Sequence, residues 1–278
     1  MINLFHELSE QCSRSTTEKY STSFSKAIKL LHKDIRQPIY NIYGFVRFAD
    51  EIVDSFHQHN KKELLDEFRQ ATYLAIERKV SLNPILNSFQ ISVHDYKISP
   101  ELIDAFFESM EMDLSQTTYD KTGYANYIYG SAEVVGLMCL HVFCEGKKEL
   151  YEELKPYAQS LGAAFQKVNF LRDVEADYKE LNRVYFPNVD LEKFSASNKI
   201  KIENDIADDF TNAYNGIVKL PIKARFGVYV AYKYYLSLFT KIKEVNPQSI
   251  LSERIRIPDF KKFLILVKAG LQTQFKLL

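Results

Sequence analysis

Asp50 and Asp54, and again Asp173 and Asp177, stand four residues apart in stretches with helical periodicity, so each pair presents two carboxylates on one helical face. Their neighbours in Tyr40-Asn-Ile-Tyr-Gly-Phe-Val-Arg-Phe-Ala-Asp50 and Phe165-Gln-Lys-Val-Asn-Phe-Leu-Arg-Asp173 are largely apolar. A carboxylate in apolar company is costly unless a cation compensates it. Two such pairs facing one another suit a divalent metal, and metal held by helical carboxylates points to a phosphorylated substrate. On the first helix Arg47, Asp50 and Asp54 fall at i, i+3 and i+7, with Tyr43 one turn earlier. The other faces of that helix carry Ile39, Ile42, Phe45, Val46, Phe48, Ile52 and Val53, so the polar stripe needs a reason. On the second, Gln166, Asn169, Asp173 and Asp177 form a continuous stripe flanked by Arg172. Amide and carboxylate oxygens are hard ligands suited to magnesium, and arginine suits phosphate. The plain alternative for either pair alone is a surface helix with an intrahelical Arg–Asp pair.

Long helices must position these stripes, and the chain reads as helical throughout, with no period-two alternation. The expected helices are 3–13, 24–33, 36–57, 61–79, 82–94, 100–116, 122–144, 149–181, 201–218, 222–245 and 259–276. Ser99-Pro100-Glu101 is a helix start, with an N-cap, proline at the first helical position and an acid in the first turn. Pro38 and Pro221 fit the same role, whereas Lys155-Pro156 predicts a break or kink. The longest irregular region is Asn182 to Asn198. Nine glycines and eight prolines in 278 residues are few for a turn-rich sheet fold, and one all-α domain over 1–278 is the economical reading.

The bulk numbers narrow the function classes. Lysine plus arginine equals aspartate plus glutamate at 36 each, so no net field recommends a nucleic-acid partner. Cys12, Cys139 and Cys144 lack metal-like spacing and read as reduced thiols of a cytoplasmic protein. The N-terminal run Met1-Ile-Asn-Leu-Phe-His-Glu-Leu does not read as a signal peptide. The apolar run Val134 to Cys144 is about half of the ~20 residues a spanning helix needs. His57 and His59 read as solvated loop residues. Arg254, Arg256, Lys261 and Lys262 form a late basic cluster that either reaches a diphosphate or rings the surface. The final apolar helix with basic flanks either packs on the bundle or makes a peripheral contact with the inner face of a membrane.

At the acidic stripes the chain resembles the squalene/phytoene synthase family of head-to-head prenyl transferases. Arg47-Phe-Ala-Asp-Glu-Ile-Val-Asp54 resembles that family's first acidic motif. Asn169-Phe-Leu-Arg-Asp-Val-Glu-Ala-Asp177, followed by Asn182-Arg-Val-Tyr-Phe-Pro187, resembles the second and its downstream segment. Tyr20-Ser-Thr-Ser-Phe24 resembles the N-terminal segment that meets a diphosphate, and Tyr127-Ile-Tyr-Gly-Ser-Ala-Glu-Val-Val-Gly136 the kinked central helix. Tyr20 departs from the histidine or lysine of many relatives, and Glu133 from a small residue.

The resemblance implies an isoprenoid-synthase-type helical fold with a central cavity and Mg2+, or Mn2+ in its place, bridging to diphosphate. It implies Asp50, Asp54, Asn169, Asp173 and Asp177 as metal ligands or their supports, with Arg47 joining the four aspartates in catalysis. Tyr20, Ser21, Ser23, Phe24, Tyr43, Arg47, Tyr129, Gln166, Asn169, Arg172 and Tyr185 would contact substrate. Phe24, Tyr43, Tyr127, Tyr129 and Phe165 are candidates for lining an apolar cavity, and Gly162-Ala163-Ala164 either leaves room for a chain or lets helices approach. The sub-pattern looks most like bacterial carotenoid-pathway members, which implies phytoene synthesis from two geranylgeranyl diphosphates without NADPH. The alternatives are a squalene-, dehydrosqualene- or presqualene diphosphate-type enzyme using farnesyl diphosphate, with NADPH for full conversion to squalene, and a non-catalytic assembly or lipid-binding scaffold.

Overall fold

The computed structural model describes residues 2–181, 183–187, 189, 194–250, 255–258, 264–266 and 268–269, and thirteen helical segments have both ends among them. The side chains at 176, 177, 179–181 and 248 lie outside that description. The elements are α1 (Ile2–Tyr20), α2 (Thr22–Ile28), α3 (Lys33–Ser55), α4 (Lys61–Arg78), α5 (Pro84–Tyr96), α6 (Pro100–Ser115) and α7 (Lys121–Ile128). A π-helical turn (Tyr129–Glu133) joins α7 to α8 (Val134–Cys144), followed by α9 (Lys148–Leu181), α10 (Ala196–Ile217), α11 (Ile222–Glu244) and α12 (Pro247–Ile250). No strand forms among the described residues; Thr118 and Val184 make an isolated parallel bridge.

Short polar residues start several helices as the spacing predicts. The side chains of Ser21, Asn60, Asn83, Asp120 and Ser195 each accept from a backbone N–H in the first turn. Ser99 and Pro100 open α6, although the Ser99 hydroxyl makes no capping bond. Other expectations are corrected. α1 runs to Tyr20 rather than to residue 13, because its inward face is built from Ser9, Ser13 and Thr17 and has no apolar stripe to read. The Ser9 and Thr17 hydroxyls donate to carbonyls four residues back, and Ser13 meets Ser88 of α5 at 2.6 Å, so small polar groups are buried in pairs. α10 starts at Ala196, five residues before the expected start. Pro38 lies inside α3, which starts at Lys33, and Pro221 is the N-cap of α11 rather than its first residue. α9 runs unbroken through Pro156.

The centre of the bundle is aromatic. Phe45 of α3 is fully buried, stacked on Phe89 of α5 at 3.9 Å and 5°, with Phe68, Phe106 and Phe107 around it. This fastens the face of α3 behind the acidic stripe. The π turn widens the helix at the point expected to be kinked. Gly130 there meets the Ala105 carbonyl, and Gly162 of α9 meets the Ala132 carbonyl; a Cβ would come within 2.4 and 2.8 Å of these oxygens. Gly162 thus serves close helix approach rather than leaving room for a chain.

Lys121–Cys144 is long and apolar enough to cross a membrane by composition, but more than half of it is buried against α6 and α9. Of the helix expected at 259–276, positions 264–266 and 268–269 are described, helical, with Leu264 exposed and Ala269 buried in the core. Arg254, Lys261 and Lys262 lie outside the described residues.

Candidate active site

α3 carries the first acidic face. Asp50 is half-buried and its carboxyl is pushed up to about 7, chiefly by burial and then by Asp54, with Asp113 and Glu51 adding and Arg47 opposing. Asp54 is raised too, by burial, against the pull of Arg183, Arg47 and Lys61. Ionised carboxylates repel one another where water is scarce, and a cation between them would offset that repulsion. Arg47 is not paired with either aspartate. Its Nη2 donates to Glu51, and its guanidinium lies 4.4 Å from the centre of the Tyr20 ring. Tyr20 is itself exposed, and its hydroxyl helps to hold the Glu51 carboxyl below its ordinary value. The Nε of Arg47 is buried without a hydrogen-bond partner among the described residues.

Tyr43, one turn earlier, is half-buried, and burial pushes its hydroxyl up to about 12. Its ring lies 5.3 Å from that of Phe24, and its hydroxyl is within electrostatic reach of Tyr235 on α11. Tyr235 in turn stacks on Phe165 of α9 at 3.9 Å. Phe24 with Tyr43 and Phe165 with Tyr235 are thus two half-exposed ring pairs, and α11, packed on both α2 and α9, makes the aromatic bridge between them. Ser21 caps α2 by accepting from the Phe24 N–H, and Ser23 is exposed in its first turn.

α9 carries the second face. Gln166, Asn169 and Asp173 share a stripe, all of intermediate exposure. The Asn169 Oδ1 is buried with no hydrogen-bond partner among the described residues. A buried amide oxygen left without a donor is costly, and it is satisfied if a cation sits in front of it. Arg172 turns back on its chain neighbour, its Nε lying 3.0 and 3.1 Å from the two carboxylate oxygens of Asp173. The side chain of Asp177 lies outside the described residues.

A third group joins the faces. Arg183, just past α9, places Nη1 3.1 Å from Asp113 Oδ1 and 3.8 Å from Asp54 Oδ1. Asp113 sits at the end of α6, 8 % exposed, accepting a 2.9 Å bond from the Tyr127 hydroxyl. Burial pushes its carboxyl up to about 7 despite Arg183 and Tyr127. Tyr185 stacks on Phe170 at 4.0 Å and on Tyr127 and Tyr119 beyond. Asp50 lies between Tyr43 and Asp54 on α3, and Asn169 and Asp173 follow Phe165 by one and two turns on α9.

One expected role changes: Tyr127 is buried and holds Asp113, so it is packing rather than cavity lining. Tyr185 lies in the same aromatic stack. Tyr129 is 36 % exposed, and no described contact joins it to either acidic face. Residues the spacing did not single out are Asp113, Arg183, Glu51 and Tyr235. Asp113 does leave a signal, since it continues the apolar stripe Ile103, Phe106 and Met110 with an acid.

Among the described residues no three His, Cys, Asp or Glu side chains converge tightly enough to enclose a metal by themselves. The donors present are single hard oxygens on Asp50, Asp54, Asn169 and Asp173, which fit a divalent ion that keeps water or phosphate oxygens in its shell. The cationic residues and the aromatic bridge beside them fit an anionic head and an apolar tail.

The chain matches the squalene/phytoene synthase family over residues 17–261. It is 28 % identical over 197 residues to the 4,4'-diapophytoene synthase of Staphylococcus haemolyticus, covering 68 % of this chain and 66 % of that protein, just under two thirds of its length. It is 26 % identical over 293 residues to the phytoene synthase of Arthrospira platensis, covering 94 % of this chain and 92 % of the relative. A crystal structure of a dehydrosqualene synthase superposes with a TM-score of 0.81 at 19 % identity, over 97 % of this chain and 98 % of that one, so the helical arrangement is the isoprenoid-synthase fold.

Proposed function

The chain belongs to the squalene/phytoene synthase family, and on that premise we propose that it joins two prenyl diphosphates at their C1 ends. The substrate is geranylgeranyl diphosphate and the product phytoene. The reaction runs through a cyclopropylcarbinyl diphosphate, each of its two steps releasing one diphosphate and one proton. The observation that carries this reading is the orphaned Asn169 oxygen one turn from Asp173, together with the Asp50 carboxyl that burial and Asp54 push up to about 7. Support for the C20 substrate comes from the similarity over 94 % of this chain to a phytoene synthase.

Asp50, Asp54, Asn169 and Asp173 would hold Mg2+, or Mn2+ in its place, whose chemistry is to stabilise charge on a departing diphosphate. Arg47, fixed by Glu51 and the Tyr20 ring, and Arg172 orient the diphosphate oxygens. Phe24, Tyr43, Phe165 and Tyr235 keep water from the allylic carbon, and their ring faces favour passing cations. Loss of a proton from the rearranged cation, in place of hydride addition, gives the central triene, so NADPH is not required. A cytoplasmic enzyme with a hydrocarbon product would work beside the inner face of a membrane.

The second reading is squalene- or dehydrosqualene-type synthesis from farnesyl diphosphate, favoured by the similarity to a 4,4'-diapophytoene synthase. A non-catalytic scaffold is disfavoured because all four motif aspartates are present. Product analysis separates the readings, using each diphosphate with Mg2+, with and without NADPH. A reductant-independent C40 hydrocarbon from the C20 substrate supports phytoene synthesis. A C30 product from farnesyl diphosphate alone moves the assignment to the second reading, and no diphosphate release from either leaves the scaffold.

A further inference from the structure

We propose that Asp113 and Arg183 are a positioning pair that sets how well Asp54 holds a metal ion, an inference that rests on the metal-binding role given to Asp54 above. Neither residue lies on an acidic face. Asp113 ends α6, and Arg183 follows α9, with its side chain 7 % exposed. The guanidinium is anchored on α6: Nη2 donates to the Asp113 backbone carbonyl at 2.5 Å, and Nη1 stands 3.1 Å from the Asp113 carboxylate. Towards α3 it only leans, at 3.8 Å from Asp54 Oδ1.

Both ends of the pair are fixed. Tyr127 donates to Asp113 Oδ2, and the segment carrying Arg183 is stitched down by the Val184 N–H to the Thr117 carbonyl at 2.8 Å. Tyr185, two residues on, is held in the stack of Tyr119, Tyr127 and Phe170. The geometry therefore divides one positive charge between two carboxylates. Asp113 takes the close contact, and Asp54 receives enough attraction to be oriented but is not neutralised. The Asp54 side chain is still 45 % exposed, so it has oxygen to offer a cation.

Without the Asp113 charge, a buried guanidinium must find another partner, because an unpaired buried charge is strongly disfavoured. Among the described residues Asp54 is the next carboxylate within reach. The 3.8 Å separation would close to a hydrogen-bonded pair, and Asp54 would become a poor ligand.

The test is Mn2+ binding to the full chain with inorganic pyrophosphate present, followed by the electron paramagnetic resonance of free Mn2+. Asp113→Asn is expected to weaken binding about tenfold, as loss of an outer-shell partner does. Asp113→Asn combined with Arg183→Gln removes both charges and is expected to restore binding to within about threefold of wild type. A pair with a merely structural role predicts the reverse order, with the double variant no better than the single. Arg183→Gln alone carries the test if Asp113→Asn fails to fold: Mn2+ binding is expected to stay at the wild-type level or tighten, and weakened binding overturns the proposal. Wild-type affinity in Asp113→Asn, or a double variant as weak as the single, overturns the proposal. So does a wild-type chain that binds no Mn2+ with pyrophosphate. A wild-type chain that binds Mn2+ but releases no diphosphate from prenyl substrates overturns the proposed function and leaves the pair's role standing.

Discussion

Arg47 directs its guanidinium to Glu51, one turn along α3, so the arginine of the first acidic face is anchored to the residue next to Asp50 and not to Asp50 itself. Its flat face lies on the Tyr20 ring at the same time. Lysine can replace the charge but neither the fork nor the stacking. Arg47→Lys is expected to raise the inhibition constant of inorganic pyrophosphate about tenfold, the worth of one charge-assisted hydrogen bond. An unchanged constant would remove Arg47 from the diphosphate site.

Asn169→Leu separates binding from folding. The buried Oδ1 has no donor among the described residues, so an apolar side chain of similar shape is expected to leave the thermal midpoint unchanged or raise it. Mn2+ affinity should fall by about tenfold to a hundredfold. A variant that loses stability and keeps its affinity would make Asn169 a structural residue.

Metal-free protein should lose stability as pH rises. Asp50 and Asp113 carry carboxyls near 7 in the fold against an ordinary value of 3.8, so between those limits the native state binds more protons than the unfolded chain. The slope of unfolding free energy with pH is then negative, and the contribution present below pH 4 is lost as pH passes through 7. Thermal midpoints from pH 5 to 8 should fall without metal and recover at pH 8 when Mg2+ and pyrophosphate are added. Asp50→Asn should flatten the first trend and reduce turnover by more than about a hundredfold, beyond the loss of an outer-shell partner.

Phe45→Ala is the stability control. Phe45 is fully buried against Phe89, and its truncation is expected to cost about 3–5 kcal/mol. Denaturant unfolding measures that loss; Mn2+ affinity of the folded fraction should stay within about threefold of wild type.

The helical architecture and the acidic stripes were legible because both rest on spacing: aspartates four apart, apolar residues at helical period, caps before first turns. What spacing missed has physical causes. The inner face of α1 is serine and threonine, which pair with one another across the α5 interface and leave no apolar period to count. Pro156 is carried inside α9, where a local rule predicts a break. Asp113 and Arg183 are 70 residues apart in the chain and meet only because the strip after α9 docks beside α6. Arg47 had three acids within helical reach, and rotamer packing against Tyr20, which no spacing encodes, accompanies its choice of Glu51.

The glycines at the π turn bear on how such a protein can be redesigned. At Gly130 and Gly162 three helices touch through backbone, with carbonyls standing where any side chain would be. A slide of one residue, about 1.5 Å along an axis, would drive Tyr129 or Ser131 into the Ala105 carbonyl. The seam therefore indexes the helices like teeth on a rack, admitting one register. Under the proposed function, variants selected for a longer or shorter prenyl chain would be reshaped by side-chain exchange at Phe24, Tyr43 and Phe165, since the frame behind them is held by backbone contact.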